Sequence, residues 1–337
     1  MGNKYKLLTF ISDSLEHYGA KNIKKVADLF CGTGIVAHMF SNMDGVEYVH
    51  ANDIEPYAVV FTKARLSNES CTKIKKRLDA YYAASTSHEK SFCKDAQKKN
   101  IITQLYGSSR RSVFTKEHAM TIDALMRVIH ATKPRDTNAI ASLMDSALRV
   151  NNGFGHFHSA PKNRRQKDVA LDLLPVVPRG SRARWIITQE NAIDSLKSSS
   201  KYNTFYDLIY IDPPYTRGHY GTSYHILNTI ALDDAPQTTG QFNIRKDAFK
   251  STFSSKVKAH HAFRDLIEKC APKCRYVCIS YSDKGIVSRK ELVEMLYSSG
   301  YSKVQTYCKN RAAYKGGTMQ ELLFIATSTI PITSQHT

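Results

Sequence analysis

The stretch Tyr206-Asp207-Leu208-Ile209-Tyr210-Ile211-Asp212-Pro213-Pro214-Tyr215 decides the fold class of this 337-residue chain. Its first six residues form an apolar, β-branched and aromatic run, the pattern of a strand buried in a parallel sheet. The last four place an acid, two prolines and an aromatic ring where that strand ends. In open α/β sheets the carboxyl edge of the strands is where ligands bind. Proline lacks an N–H and fixes φ, so Pro213-Pro214 is a stiff, extended segment with free carbonyls. Asp212 and the Pro213 carbonyl both accept hydrogen bonds, and Tyr215 offers a ring face. Two acceptors and a stacking ring suit a planar base that carries an exocyclic amino group. Taken alone, the same residues also read as a strand-to-loop turn capped by Asp and broken by prolines.

Outward from this stretch, strand and helix signals alternate. Lys25–Phe30 reads as a short strand running into Cys31-Gly32-Thr33-Gly34 and a helix from Ile35 to Asn42. Val46–Ala51 is a second strand, ending in Asn52-Asp53, with a helix from Pro56 to about Leu66. Trp185–Thr188 and Phe205–Ile211 read as strands around a helical Ala192–Lys197. Helices near Tyr224–Ile230, Lys258–Cys270 and Arg289–Ser299 then alternate with strands near Tyr276–Tyr281, Lys303–Tyr307 and Leu322–Ala326. The pattern predicts an α/β protein with a doubly wound, mostly parallel, Rossmann-like sheet. Gly32 and Gly34 sit at a strand-to-helix turn, where missing Cβ atoms let the backbone lie against a ligand. The third glycine of a dinucleotide fingerprint is absent, which counts against NAD. Asp53 lies 53 − 34 = 19 residues after Gly34, the separation expected of a carboxylate that takes both ribose hydroxyls. Capping the helix that starts near Pro56 is the plain structural alternative for Asp53.

The formal charge is +18, and a chain this basic implies a polyanionic partner, usually nucleic acid. Between Leu66 and Trp185 there are 22 Lys and Arg against 10 Asp and Glu, so 22 − 10 = +12 of the excess falls in about a third of the chain. Helical patterns occur there at Ala119–Thr132 and Thr137–Val150. A Gly- and aromatic-rich patch, Asn151–His158, lies among the basic clusters. We therefore expect residues 66–185 to form a mainly helical, basic domain inserted into an α/β domain made of 1–65 and 186–337. Arg110, Arg111, Arg164, Arg165 and Lys167 are the expected phosphate contacts. The seven cysteines show no disulfide framework, and a strand-like run interrupts the Cys270, Cys274 and Cys278 spacing, so no metal site is expected. Free thiols, no apolar run approaching a membrane span and no signal-peptide core predict a soluble, cytoplasmic protein without a membrane partner.

Together these segments resemble the Dam-like, D12-class (alpha-group) DNA adenine N6-methyltransferases, which use S-adenosylmethionine. Asp28-Leu29-Phe30-Cys31-Gly32-Thr33-Gly34 is similar to that family's first cofactor motif, Asn52-Asp53 with Tyr57 to its second, and Asp212-Pro213-Pro214-Tyr215 to its catalytic motif. Gly2-Asn3-Lys4 with Leu7-Leu8 and Ile11 resembles the N-terminal motif, whose lysine lies near the cofactor's methionine carboxylate. Tyr220, Tyr224-His225 and Leu227, then Ser280-Tyr281-Ser282 with Gly285 and Ser288, then Glu321-Leu322-Leu323, are also similar to family patterns. The resemblance covers roughly residues 1–65 and 186–327, and the insertion stands where the family has its target-recognition domain. It implies Lys4, Asp28, Phe30, Gly32, Gly34, Asp53 and Ile54 as cofactor contacts. One departure concerns the acid that usually meets the cofactor adenine: here the run is Gln189-Glu190-Asn191-Ala192. Asn191 aligns best, its carbonyl can accept from an amino group, and Glu190 is the other candidate.

The resemblance implies a site-specific methylase of duplex DNA, from a bacterium or phage and nucleoid-associated. It would be either a restriction-modification type II methylase, with a cognate endonuclease as functional partner, or an orphan methylase. Asp212, Pro213 and Tyr215 would carry the chemistry without a metal: Asp212 and the Pro213 carbonyl accept from N6–H, and Tyr215 stacks on the extruded base. A sulfonium methyl is already electrophilic, so preorganised acceptors on a poorly nucleophilic amine are what the reaction lacks. His225 is read as a packed or surface histidine and Tyr281 as core. The alternatives are an RNA adenine methyltransferase, a protein-glutamine methyltransferase, and a catalytically inactive DNA-binding protein of the same fold. The large basic insertion between the second cofactor motif and the catalytic strand favours duplex DNA.

Overall fold

A strand as apolar as Tyr206–Ile211 needs cover on both faces, and it obtains it at the centre of a seven-stranded sheet. The computed structural model describes residues 4–88, 100–107, 113–159, 170–196, 204–215, 218–312 and 317–330. In chain order its elements are α1 (Leu8–Tyr18), β1 (Lys25–Asp28), α2 (Ile35–Ser41), β2 (Tyr48–Asn52), α3 (Pro56–Leu66), α4 (Cys71–His88) and α5 (Ile101–Tyr106). Next come α6 (Lys116–His130), α7 (Thr137–Val150), β3 (Arg184–Thr188), β4 (Tyr206–Ile211), α8 (Tyr220–Ser223) and α9 (His225–Leu232). The last are β5 (Thr238–Thr239), β6 (Ile244–Arg245), α10 (Ala259–Cys270), β7 (Cys274–Ser282), α11 (Arg289–Ser298), β8 (Tyr301–Ala312) and β9 (Thr318–Ser328).

The chain divides into two compact units. One comprises residues 2–54, 181–219 and 251–337, the other 55–180 and 220–250. The first holds the sheet, in order β3-β2-β1-β4-β7-β9-β8. Strands β1, β2, β3, β4 and β7 are parallel, and β9 runs antiparallel between β7 and β8. This is the expected doubly wound sheet, with β1 and β4 adjacent at the point where the strand order reverses. Alternate residues serve opposite faces. Ala27, Ile209, Val277, Ile279, Leu322 and Phe324 pack with α10 and α11, whereas Val26, Leu208, Tyr210, Cys278, Leu323 and Ile325 pack with α1 and α2. Cys270, Cys274 and Cys278 are free, buried thiols of this core.

The second unit is helical among the described residues, apart from the two-residue pairing of β5 with β6. Its core gathers Tyr57 and Phe61 of α3, Leu125 and Ile129 of α6, Ile140, Leu143 and Met144 of α7, and Ile226, Leu227 and Ile230 of α9. Buried polar ties set the helix contacts. Asp136 caps α7 through the Ala139 amide (3.0 Å) and accepts from Arg77 of α4 at 2.8 Å. Asp123 of α6 accepts from the Ile102 and Thr103 amides at the start of α5. The packing boundary therefore differs from the expected 65/66 and 185/186 divisions. Helix α3 buries its apolar side in the helical core, and so does α9, well after the catalytic-type strand. A local charge count could not reveal either. Of the helix expected over Ala192–Lys197, the described residues form a 3-10 turn at Asp194–Leu196 held by Asn191, and Lys197 lies outside them.

Fully buried Asn52, at the end of β2, joins three strand ends. Its Nδ2 donates to the Leu29 carbonyl after β1 (3.2 Å) and the Glu190 carbonyl after β3 (3.0 Å). Its Oδ1 accepts from the Thr188 hydroxyl (2.7 Å) and the Glu190 amide (3.2 Å). Asn52→Ala would leave these groups unpaired in the interior. We expect it to lower stability by about 2–4 kcal/mol. Denaturant unfolding followed by fluorescence of Trp185, the single tryptophan and a residue of β3 in the same sheet, checks this.

Candidate functional site

Strands β1 and β4 pair in parallel with Asp28 opposite Tyr210, so the loops that follow them leave the same edge of the sheet side by side. The first loop turns tightly. The Gly34 amide donates to the Cys31 carbonyl (2.7 Å), and Gly32 (φ +53°) and Gly34 (φ +75°) are left-handed, a conformation that glycine adopts without strain. A Cβ on Gly32 would meet nothing within 4 Å, so open space adjoins the loop. Asp53 fixes the turn from the neighbouring strand end: its Oδ2 accepts from the Gly32 amide at 2.8 Å. The sequence placed these two residues together as ligand contacts; the structure adds that one holds the other. Phe30 sets its ring edge on Phe253 (5.4 Å between centroids), and Ile54 is half-buried.

Asp28 is 1% exposed, and neither carboxylate oxygen has a well-formed hydrogen bond. Burial pushes its pKa well above the carboxylate range and Asp212 pushes it further; the Phe30 and Ala37 amides offset only part. A buried, unpartnered carboxylate beside an open glycine turn is suited to a cationic amine, such as the amino group of S-adenosylmethionine. The donor set thus fits that cofactor.

The second loop carries Asp212, whose side chain is 17% exposed, at the end of β4. Lys4 reaches it from the 3-10 turn before α1, with Nζ 3.1 Å from Oδ1. The same ammonium donates to the Ser280 hydroxyl of β7 (2.9 Å) and to Glu321 of β9. Ser280 also donates to Glu321 (2.8 Å), and the other oxygen of Glu321 accepts from Arg311 of β8 (2.7 Å). Burial raises the pKa of Asp212, Lys4 opposes it and Glu321 adds to it, leaving it pushed up to about 6. Burial works against the ammonium form of Lys4, but Asp212 and Glu321 outweigh it and its pKa is raised. Pro213 is buried. Tyr215 is half-buried, its ring edge-on to Tyr281 (6.0 Å) and 5.8 Å from Lys4 Nζ.

Lys4, Asp212 and Tyr215 thus come together, as do Gly32 and Asp53. Asn191 is committed locally, its Oδ1 accepting from the Ile193 amide at 3.0 Å. Tyr281 is core, and its hydroxyl accepts from the Ile286 and Val287 amides. In the helical unit Tyr220 and Tyr224 stack (6.1 Å), and His225 is packed against Tyr106 and Phe157. Gly2, Asn3, Arg110, Arg111, Arg164, Arg165 and Lys167 lie outside the described residues. Local sequence patterns single out neither Arg311 nor His50, and they mark Glu321 only as part of a late motif. That histidine is buried between the Tyr206 hydroxyl (2.6 Å) and Thr188 (2.8 Å), and burial lowers its pKa to about 4, so it stays neutral. Glu321 had a signal: an acid at the threshold of the apolar run Leu322–Ala326. No group of metal-ligating side chains and no helix fit to cross a membrane occurs among the described residues.

Comparison with known proteins bears on what this edge does. Residues 1–295 match the family described as D12 class N6 adenine-specific DNA methyltransferase. The chain is 27% identical over 334 residues to the modification methylase LlaI of Lactococcus lactis subsp. lactis, covering 94% of this chain and 52% of that one. It is 28% identical over 320 residues to the type II methyltransferase M.NlaIII of Neisseria lactamica (91% and 90%). It is also 26% identical over 337 residues to M.CviAII of Paramecium bursaria Chlorella virus 1 (96% and 96%). The chain spans about half the length of the LlaI methylase and nearly the whole of the other two.

Asp28 generates a two-sided prediction. An acid whose folded pKa is raised costs free energy when ionised, so at neutral pH Asp28→Asn should raise the thermal midpoint of the cofactor-free protein. If Asp28 takes the cofactor's amino group, the same change should weaken S-adenosylmethionine binding by about tenfold or more, through loss of a charge-assisted contact. Thermal melting and titration calorimetry read the two effects separately.

Proposed function

Because the chain belongs to the D12 class N6 adenine-specific DNA methyltransferases, we propose that it is a site-specific methylase of adenine N6 in duplex DNA, acting in restriction-modification. The carrying observation is the placement of Asp212 at the carboxyl end of β4, beside the glycine turn and unpartnered Asp28 at the end of β1. S-adenosylmethionine supplies an electrophilic sulfonium methyl. Asp28, Gly32, Gly34, Phe30, Asp53 and Ile54 would hold it, while Lys4, which the resemblance places near its methionine carboxylate, is here paired with Asp212 and Glu321. Asn191, with one lone pair already serving Ile193, or Glu190 would meet the adenine.

The acceptor amine is the demanding partner, because its lone pair is delocalised into the ring. Asp212 and the Pro213 carbonyl would accept from its two N–H groups and favour a pyramidal nitrogen. Positive charge grows there in the transition state, so fixed acceptors stabilise that state more than the ground state. A carboxylate with a pKa near 6 also serves as proton acceptor once the methyl has moved. Tyr215 would stack on the extruded base and offset part of the few kcal/mol of unstacking.

The chain's net +18 and the +12 of residues 66–185 support DNA as the polyanion and that segment as its main dock. In restriction-modification a cognate endonuclease reading the same sequence would be the functional partner.

Asp212→Ala should retain S-adenosylmethionine and DNA binding while methyl incorporation falls by about 10³-fold or more. Substantial turnover by this variant would sink the assignment. Neutralising Arg164, Arg165 and Lys167 together should reduce the slope of log affinity against log salt by up to about 3. An unchanged slope would place the phosphate contacts elsewhere.

A further inference from the structure

Lys4 has one ammonium and two carboxylate partners, partly exposed Asp212 and buried Glu321, and Glu321 is itself divided between Lys4 and Arg311. The charges therefore alternate along Asp212, Lys4, Glu321 and Arg311, with the Ser280 hydroxyl bridging Lys4 and Glu321. Glu321 is 1% exposed, and such a carboxylate is costly unless it does something for its neighbours. An apolar residue at this position of β9 would pack between the sheet neighbours Ser282 and Lys309 without that cost.

We propose that Glu321 and Arg311 are positioning residues that set the proton affinity of Asp212 through Lys4: Glu321 draws the ammonium away from Asp212, and Arg311 draws Glu321 away from the ammonium. This deepens, and rests on, the reading of Asp212 as acceptor of the substrate amine. In that reaction the N6–CH3 bond forms as the C–S bond breaks, with its electron pair staying on sulfur. The N6 proton then passes to an Asp212 oxygen, leaving a neutral secondary amine and a carboxylic acid. Lys4 alone, with no competitor, would hold Asp212 too acidic to take that proton efficiently. An unpaired Asp212 would be protonated before the methyl moves and could not take up the N6 proton. The network sets a value between these limits. The other titratable groups facing Asp212 are Asp28, Tyr210, Tyr215 and Cys278, and the two variants below leave all of them in place.

The test is carboxyl-carbon NMR titration of Asp212 in the cofactor-free protein, its signal assigned by disappearance in Asp212→Asn. Glu321→Gln removes the competing charge and should move the Asp212 midpoint to lower pH. Arg311→Gln frees Glu321 to compete harder and should move it to higher pH. Each shift should be at least about half a pH unit, and the acidic limb of the methylation rate should follow it. A structural role predicts no such opposition of sign, so midpoints that stay put or move together overturn the proposal. Arg311 is half-exposed, so if Glu321→Gln does not fold, Arg311→Gln alone decides by the direction of its shift. Wild-type methylation of plasmid DNA is measured alongside. A protein that titrates as expected yet methylates no DNA refutes the proposed function and not the charge network. One that methylates DNA with unmoved midpoints refutes the network alone.

Discussion

Buried Asp28 and partly exposed Asp212 lie at the ends of two adjacent parallel strands, and two carboxylates in such a place cannot both ionise without compensation. Much of this edge of the sheet addresses that constraint. Lys4, from the start of the chain, supplies a cation to Asp212, and Glu321 and Arg311, from its end, regulate the supply. Among the described residues, Asp28 receives no such partner. The two acids thus acquire different characters from different surroundings, one compensated from within the chain and one, on the proposed function, open to a cationic ligand.

The sheet makes this arrangement affordable because it is rigid at that edge. Asn52 ties the ends of β1, β2 and β3, and Asp53 pins the Gly32 amide, so the ligand-facing loops hang from fixed points. Helices α1 and α2 on one face and α10 and α11 on the other supply the apolar burial that offsets the cost of the charged edge. The surrounding core absorbs the cost of burying Asp28.

How much of this is legible in the sequence depends on range. Apolar runs, the two left-handed glycines and the Asp212-Pro213-Pro214-Tyr215 loop are local patterns, and the sheet and both ligand-facing loops follow from them. The helix over Thr137–Val150 is read to the residue because its caps and its apolar spacing agree. The Lys4–Glu321 contact spans 317 positions, and no local rule joins them. Helix α3 shows the same limit. Its pattern gives the helix but not the core it enters, so the compact units divide elsewhere than composition suggested. Asn191 was read for its carbonyl, and the structure spends part of that carbonyl on the turn that follows.

The central claim is that the paired loops at the β1 and β4 ends methylate adenine in DNA. The most direct measurement is to express the protein in a host free of DNA methylation and sequence the genome for modified bases. The account predicts N6-methyladenine at nearly every copy of one short sequence and at no other base. A genome without N6-methyladenine, or with methylation confined to cytosine or to RNA, would contradict it.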